Sequence, residues 1–143
     1  MRDLPLTFVE DMAHEVLPLD RAGTPESVQA AAQLMAELVR RLNHATLRPG
    51  EHTLPAPVDV AALVSALQET LARLPQLLRQ IGARLDMFDP AQLRADGFGP
   101  VTDPAELASG AAEYLDMAAR QTAAVGDHLQ SATRYANRLA VAD

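Results

Sequence analysis

Apolar residues recur in steps of three and four along most of this chain, which is the spacing of one face of an α-helix. In the first segment, Thr7 and Glu10 have the T-x-x-E spacing of a capping box, and Pro18 ends the pattern. We therefore predict a short helix over 7–17. Its apolar stripe consists of Leu6, Val9, Ala13, Val16 and Leu17.

A second helix is predicted over about 25–45. Thr24 and Pro25 are the residue types of an N-cap and a first helical position. The segment 46–57 contains three prolines and a glycine, so it cannot continue the helix and is predicted to be a loop. The stripe of the second helix consists of Val28, Ala31, Met35, Leu38, Leu42 and Ala45.

The region 58–88 has the longest unbroken apolar pattern in the chain, with heptad spacing over nearly four repeats. Its flanking positions include Gln68, Pro75 and Gly82, which cannot form the paired charges that flank a two-stranded coiled coil. So broad an apolar face predicts a bundle of at least three helices. Pro75 lacks a backbone donor and predicts a kink near Leu71. The predicted seam consists of Val64, Leu67, Leu71, Leu74, Leu78, Ile81, Leu85 and Phe88.

The last helix is predicted over about 104–141, because Asp103 and Pro104 supply a cap and a first helical position. Its length of about 57 Å would exceed the about 46 Å of the helix over 58–88. Three arrangements could account for this difference in length. The first helix covers the extra length, the last helix bends near Gly126, or the extra length contacts a second subunit. The predicted seam consists of Ala108, Ala111, Leu115, Ala118, Thr122, Val125, Leu129, Ala132, Ala136 and Leu139.

Half of that seam is alanine, which lets another helix backbone come close. We therefore take Ala111, Ala118 and Ala132 as candidate contacts with a partner. Phe98 is a further candidate, because an aromatic side chain between two glycines in a loop can anchor a partner. The alternative for Phe98 is that it plugs the end of the bundle, which is the more common arrangement.

A column of polar and aromatic residues lies beside this seam at heptad spacing. It contains Tyr114, Gln121, His128 and Tyr135. One interpretation is a groove in which an alanine floor admits a small ligand that the phenols and the imidazole bind by hydrogen bonds. The other, which we favour, is that these residues bury a ring at the boundary of the core and leave a polar tip in water.

Composition supports an all-α fold, because the 143 residues include 27 Ala and 21 Leu but a single Ile. We predict one domain over 1–143, an antiparallel bundle of three long helices plus the short N-terminal helix, like an up-down four-helix bundle. No stretch has the apolar core of a signal peptide or a transmembrane helix, so we expect a cytoplasmic protein that does not enter the membrane.

Charge and residue types argue against several functions. The net charge of −7 and the dispersed arginines do not suit direct binding to nucleic acid. The chain has no Cys, no G-x-S-x-G and no lysine for a phosphate-binding loop, so neither an enzyme nor a cofactor is expected. The nearest approach to a metal-binding spacing is Asp11-x-x-His14, and a solvated acidic face explains it better than a metal does.

The segment VDVAALVSALQETLARLPQLLRQIGARL, residues 58–85, precedes an alanine-rich final helix. This arrangement resembles small uncharacterised all-helical proteins of actinobacteria, in which a similar A-L-V-x-x-L and L-P-Q-L-L run precedes a terminal Ala/Leu helix. The resemblance implies a GC-rich bacterial source and the same fold class. Because that group has no settled activity, the resemblance implies no function.

Two functional hypotheses remain. The first is a non-enzymatic helical protein that acts through protein contacts, either with itself as a homodimer or with another protein. The second is a regulatory module that binds a small molecule in the groove along the last helix. An enzyme built on the column of Tyr114 and His128 ranks below both.

Overall fold

The described part of the chain folds into α-helices, as the pattern predicts. The computed structural model describes residues 6–20, 22–47, 53–97, 99–100 and 103–139. Within these ranges there are four α-helices, one 3₁₀ turn at Pro90–Gln92 and no β-strand, so the predicted all-α class is confirmed. The helices are α1 (Leu6–Val16), α2 (Pro25–Leu47), α3 (Pro57–Asp86) and α4 (Pro104–Ala136).

Local side-chain hydrogen bonds explain where the helices begin. At α2, the Ser27 N–H donates to the Thr24 hydroxyl at 3.2 Å, and the Thr24 N–H donates to the Ser27 hydroxyl at 2.9 Å. At α4, the Asp103 carboxylate accepts a hydrogen bond from the Ala105 N–H at 2.9 Å. Such caps satisfy N–H groups that have no partner within the helix. Helices with proline at the first position therefore begin where the sequence predicts.

The end of α4 differs from the prediction. The helix ends at Ala136 and not near residue 141, and its C-cap is Asn137, whose N–H donates to the carbonyl oxygen of Thr133. Asparagine favours helix ends, because its side chain competes for backbone hydrogen bonds. With 33 residues in α4 and 30 in α3, the surplus of α4 over α3 is three residues, or about 4.5 Å, less than half of the expected surplus.

The chain divides into two compact units, Met1–Leu54 and Pro55–Asp143. In the first unit, the connection between α1 and α2 packs closely at Gly23. A β-carbon there would lie 3.0 Å from Leu17 Cδ1 and 3.1 Å from Val28 Cγ2, so only glycine fits without a shift. The prediction that all the helices form one domain stays a prediction.

In the second unit, α3 and α4 form an antiparallel helical hairpin. Gly82 lies against Ala112, where an added β-carbon would be 3.5 Å from the Ala112 carbonyl oxygen. One turn earlier in α3 and one turn later in α4, a side-chain nitrogen of Arg79 is 3.5 Å from an Asp116 carboxylate oxygen. Residue numbers therefore rise along one helix as they fall along its neighbour.

The residues with the least exposure define the contact face between these two helices. In α3 this face includes three buried residues, Ala61, Pro75 and Gly82. In α4 it includes Ala119, whose exposed fraction is 0%. The antiparallel register places Pro75 level with Ala119. The contact face consists of 61, 64, 68, 71, 75, 78, 82 and 85 in α3 and of 108, 112, 115, 119, 122, 126, 129, 133 and 136 in α4.

The predicted seam of α3 is therefore wrong in part. Leu67, Ile81 and Phe88 are exposed, whereas Gln68, Pro75 and Gly82, which we placed beside the seam, lie on the contact face. The physical reason is residue size. Ala61, Pro75 and Gly82 let the two backbones approach closely, so α3 turns the row that contains them to its neighbour.

The predicted seam of α4 needs the same correction. Ala111, Val125, Ala132 and Leu139 are exposed, and Ala118 is half-buried. The contact face uses the row one position later, which consists of Ala112, Ala119, Gly126 and Thr133. In the sequence the two rows look alike, because Ala111 precedes Ala112 and Ala118 precedes Ala119.

Pro75 lies inside α3, and the helix continues through it. Its ring is buried on the contact face and meets α4 where the opposite residue is as small as Ala119. Pro75 therefore has a packing role that the sequence pattern did not indicate.

Candidate functional site

The two flanks of the α3–α4 hairpin differ in chemistry. On one flank, Asp116 lies between Arg79 and Arg120, with N–O distances of 3.5 Å and 3.1 Å. All three side chains are substantially exposed, so these ion pairs stabilise the hairpin only weakly. Arg79 and Asp116 each follow a residue of the contact face. Positions one residue after the contact face therefore lie together on this polar flank.

Positions one residue before the contact face lie together on the opposite flank by the same geometry. We call this surface the apolar flank. Its α3 row has large side chains, and its α4 row is mostly alanine. Both rows keep seven-residue spacing, apart from the drift of an α-helix relative to a heptad. The apolar flank consists of Val60, Leu67, Leu74 and Ile81 in α3, with Phe88 two residues after the end of α3, and of Ala111, Ala118, Val125 and Ala132 in α4, with Leu139 three residues after the end of α4.

Large apolar side chains along this flank are in contact with solvent. Ile81 is 45% exposed, Val125 48% and Leu139 65%. Among the residues whose side chains the structure describes, the only buried hydrophobic residues are Ala61 and Ala119, and every Leu, Ile, Val, Phe and Met keeps accessible surface. These residue types are normally the most buried in a protein, so this exposure marks a candidate interaction surface.

The predicted ligand column lies along the outer edge of the apolar flank. Tyr114 is 72% exposed and Tyr135 73%, and Gln121 and His128 are also exposed. Twenty-one residues separate the two tyrosines, which corresponds to about 31 Å along a helix. A single small ligand therefore cannot contact both ends of this column.

The predicted partner contacts fall in two places. Ala111 and Ala132 are exposed and Ala118 is half-buried, and all three belong to the α4 row of the apolar flank. They are not part of the contact between α3 and α4, so a partner can reach them. Phe98 lies outside the described residues.

Two surface depressions contain groups that can form polar contacts. Tyr135 lines one of about 390 Å³ together with Ser131, Arg134 and Arg138. The other, of about 520 Å³, lies on the first unit and includes Asp11 and His14 among its lining residues. Among the residues that the structure describes, no three His, Cys, Asp or Glu side chains come together in a way that could hold a metal ion.

One charged cluster of the first unit perturbs a titratable group. The guanidinium of Arg40 donates two hydrogen bonds to the Glu37 carboxylate, at 2.6 Å and 2.8 Å. This pairing lowers the pKa of Glu37, and Arg41, whose Nε is 2.8 Å from the same carboxylate, acts in the same direction. These are contacts within one exposed stretch of α2, which indicates a role in helix stability.

Sequence reasoning identified the α4 half of the apolar flank but missed the α3 half. The signal was present as two parallel heptad rows in α3. One row is large, with Leu67, Leu74 and Ile81, and the next is small, with Pro75 and Gly82. The size difference between adjacent rows indicates which row faces the close neighbour helix and which one remains outside.

Within the described helices, none is long and apolar enough to cross a membrane. The resemblance of residues 58–85 to small actinobacterial helical proteins stays an expectation from the sequence. Comparison of the chain with protein-family models, with curated proteins and with solved structures finds no match.

Proposed function

We propose that this protein acts through protein–protein contacts, with self-association as a homodimer as its principal interaction. In this proposal it has no catalytic activity, holds no cofactor and does not bind nucleic acid directly. It works in the cytoplasm.

The observation that carries this proposal is the exposure of the apolar side chains. A hairpin of two helices can cover only one stripe of each helix. Small residues form most of this stripe in α4, whereas in α3 they alternate with larger ones such as Leu71 and Leu78. Other large residues, among them Ile81, Phe88 and Val125, lie outside the stripe and remain in contact with water. Contiguous apolar surface of this kind marks protein interaction sites, because its removal from water is favourable.

Light scattering on the full chain at several concentrations tests the proposal. A homodimer has twice the 15.3 kDa mass of one chain, and its fraction should rise with concentration. A strictly monomeric chain over the whole range would contradict self-association.

A second candidate function is the binding of a small molecule on α4. The observation that favours it is the depression lined by Ser131, Arg134, Tyr135 and Arg138, whose two guanidinium groups and two hydroxyls suit an anionic ligand. A thermal-shift screen against anionic metabolites tests it, because a ligand that binds the native state raises the melting temperature. A hit that binds a Tyr135→Phe, Arg134→Ala variant as tightly as wild type would contradict this site.

A further inference from the structure

The two rows of the apolar flank differ in side-chain size. In α3 the row carries Val60, Leu67, Leu74 and Ile81, whereas three of the four α4 positions are alanine. From 60 to 81 the large row extends for about 32 Å along α3. The flank is thus a long surface with a ridge beside a shallow groove.

The flank also differs from the rest of the chain in charge. The chain contains 19 Asp and Glu and has a net charge of −7, yet neither row contains a charged residue. The outer neighbours of the rows include one charged residue, Arg84, whose guanidinium lies 4.6 Å from the centre of the Phe88 ring. Two copies that both carry net negative charge can approach on this flank without placing acidic side chains against each other.

The size of the flank agrees with a stable interface. At the exposures found for residues such as Ile81, Val125 and Leu139, its large side chains together with Tyr114 and Tyr135 present on the order of 1,000 Å² per copy. A standard specific interface buries about 800 Å² per partner. The flank together with the two tyrosines along its outer edge therefore presents enough surface for a dimer.

We infer that two copies pack apolar flank against apolar flank, with α3 of each copy lying over α4 of its partner. This inference rests on the proposed function and assigns its contact surface. A two-fold axis parallel to the helices places the large row of each copy over the alanine row of the other. An axis across the helices would instead place large residues over large residues and leave the alanine rows facing each other across a gap. Packing large residues against small ones fills the interface, so the parallel axis is favoured.

Charged substitutions on the flank test this assignment. Ile81→Glu and Val125→Glu each introduce a carboxylate at a position that is exposed in the isolated hairpin but buried in the dimer. We expect each to raise the dimer dissociation constant by at least about a hundredfold, because a buried unpaired charge is strongly unfavourable. Val58→Glu is the matched control, because Val58 is 68% exposed and lies on the side of α3 away from the apolar flank.

Light scattering measures the mass of each variant at protein concentrations up to about 100 μM. Circular dichroism verifies that each variant is helical. Dimeric wild type and Val58→Glu with monomeric Ile81→Glu and Val125→Glu support the assignment. A dimer that neither flank substitution weakens overturns it and leaves the proposed function intact. A wild type that stays monomeric at every concentration overturns both, and another occupant of the flank would then be required.

Spin labels test the direction of the axis. The chain contains no Cys, so single cysteines at Ala66 and Arg73, both exposed and seven residues apart in α3, can each be labelled alone. With the axis parallel to the helices, the two label-to-label distances across the dimer should agree within a few ångströms. With the axis across the helices near Leu74, the centre of the flank, both sites lie on the same side of the axis, and the two distances should differ by up to about 20 Å, because the rise of seven residues counts at most twice. A difference of that size would overturn the arrangement of α3 over α4.

Discussion

Gly82 offers a direct test of how closely α3 and α4 approach. A β-carbon at this position would lie 3.5 Å from the Ala112 carbonyl oxygen, 3.6 Å from Ala112 Cα and 3.7 Å from Leu115 Cβ. These are ordinary van der Waals distances, so the site has room for one methyl group and for little more. Gly82→Ala should therefore stabilise the hairpin, whereas Gly82→Leu should force the helices apart.

The magnitudes follow from separate contributions. Replacing a helical glycine with alanine gains about 1 kcal/mol in helix propensity, and burying the methyl group adds up to about 0.8 kcal/mol. We expect Gly82→Ala to be more stable by about 1–2 kcal/mol. Leucine at Gly82 has three further heavy atoms with no space, and overpacking of this kind costs about 1–3 kcal/mol, which cancels or outweighs the gain in propensity.

Gly126→Leu provides the control for that comparison. Gly126 belongs to the same kind of small row in α4, but nothing lies within 4 Å of the β-carbon built there, and it borders a depression of about 230 Å³. Leucine at Gly126 therefore keeps its gain in propensity without overpacking. The two leucine variants should differ by about 2 kcal/mol, or about 1 M in urea midpoint for an m-value near 2 kcal/mol/M.

Urea denaturation followed by circular dichroism measures these differences, provided that the m-values of the variants agree. If Gly82→Leu were as stable as Gly126→Leu, the close approach at Gly82 would not exist in solution. The account of the contact face by its small residues would then be refuted. If Gly82→Ala were destabilising, the space for one methyl group would be wrong.

Three further predictions concern single helices. Pro75→Ala should raise the free energy of unfolding by about 1 kcal/mol, because the gain of about 3 kcal/mol in helix propensity exceeds the loss from removing a few buried ring carbons. A lower urea midpoint than wild type would show instead that α3 packing depends on the proline. Asp103→Ala should cost about 1 kcal/mol by removing the cap on the Ala105 N–H, and Asp103→Asn should restore most of it. The Glu37 carboxyl should titrate by NMR with a pKa below 4.5, because Arg40 stabilises its charged form. That stabilisation is present above pH 4.5 and is lost as the pH falls through the lowered pKa, so α2 of wild type should lose more helicity on acidification than α2 of Glu37→Gln.

The outcome at α4 shows how much the sequence could predict of an interaction surface. Ala111, Ala118 and Ala132 were predicted as partner contacts because they were taken to lie in a broad apolar seam, and they are accessible because they lie beside the contact face. The surplus length of α4 over α3, which also supported a second subunit, is only three residues. The argument for a partner now depends on the exposed apolar flank, which involves both helices.

The sequence by itself determined the elements, because their causes are local. Proline after Thr24 or Asp103, a capping hydroxyl or carboxylate, and apolar spacing of three and four residues specify a helix and its start within one or two turns. It also determined that the helices would be amphipathic with little polar chemistry between them.

Only the tertiary structure decided which stripe of each helix meets its neighbour. In α3, apolar residues occupy four adjacent rows of the helix, so periodicity is compatible with several contact faces, and in α4 adjacent alanines make two rows equivalent. The choice depends on how closely two backbones can approach, which is a property of the pair of helices. Gly82 against Ala112 is where that approach is seen, and it turns Ile81 and its row toward the solvent.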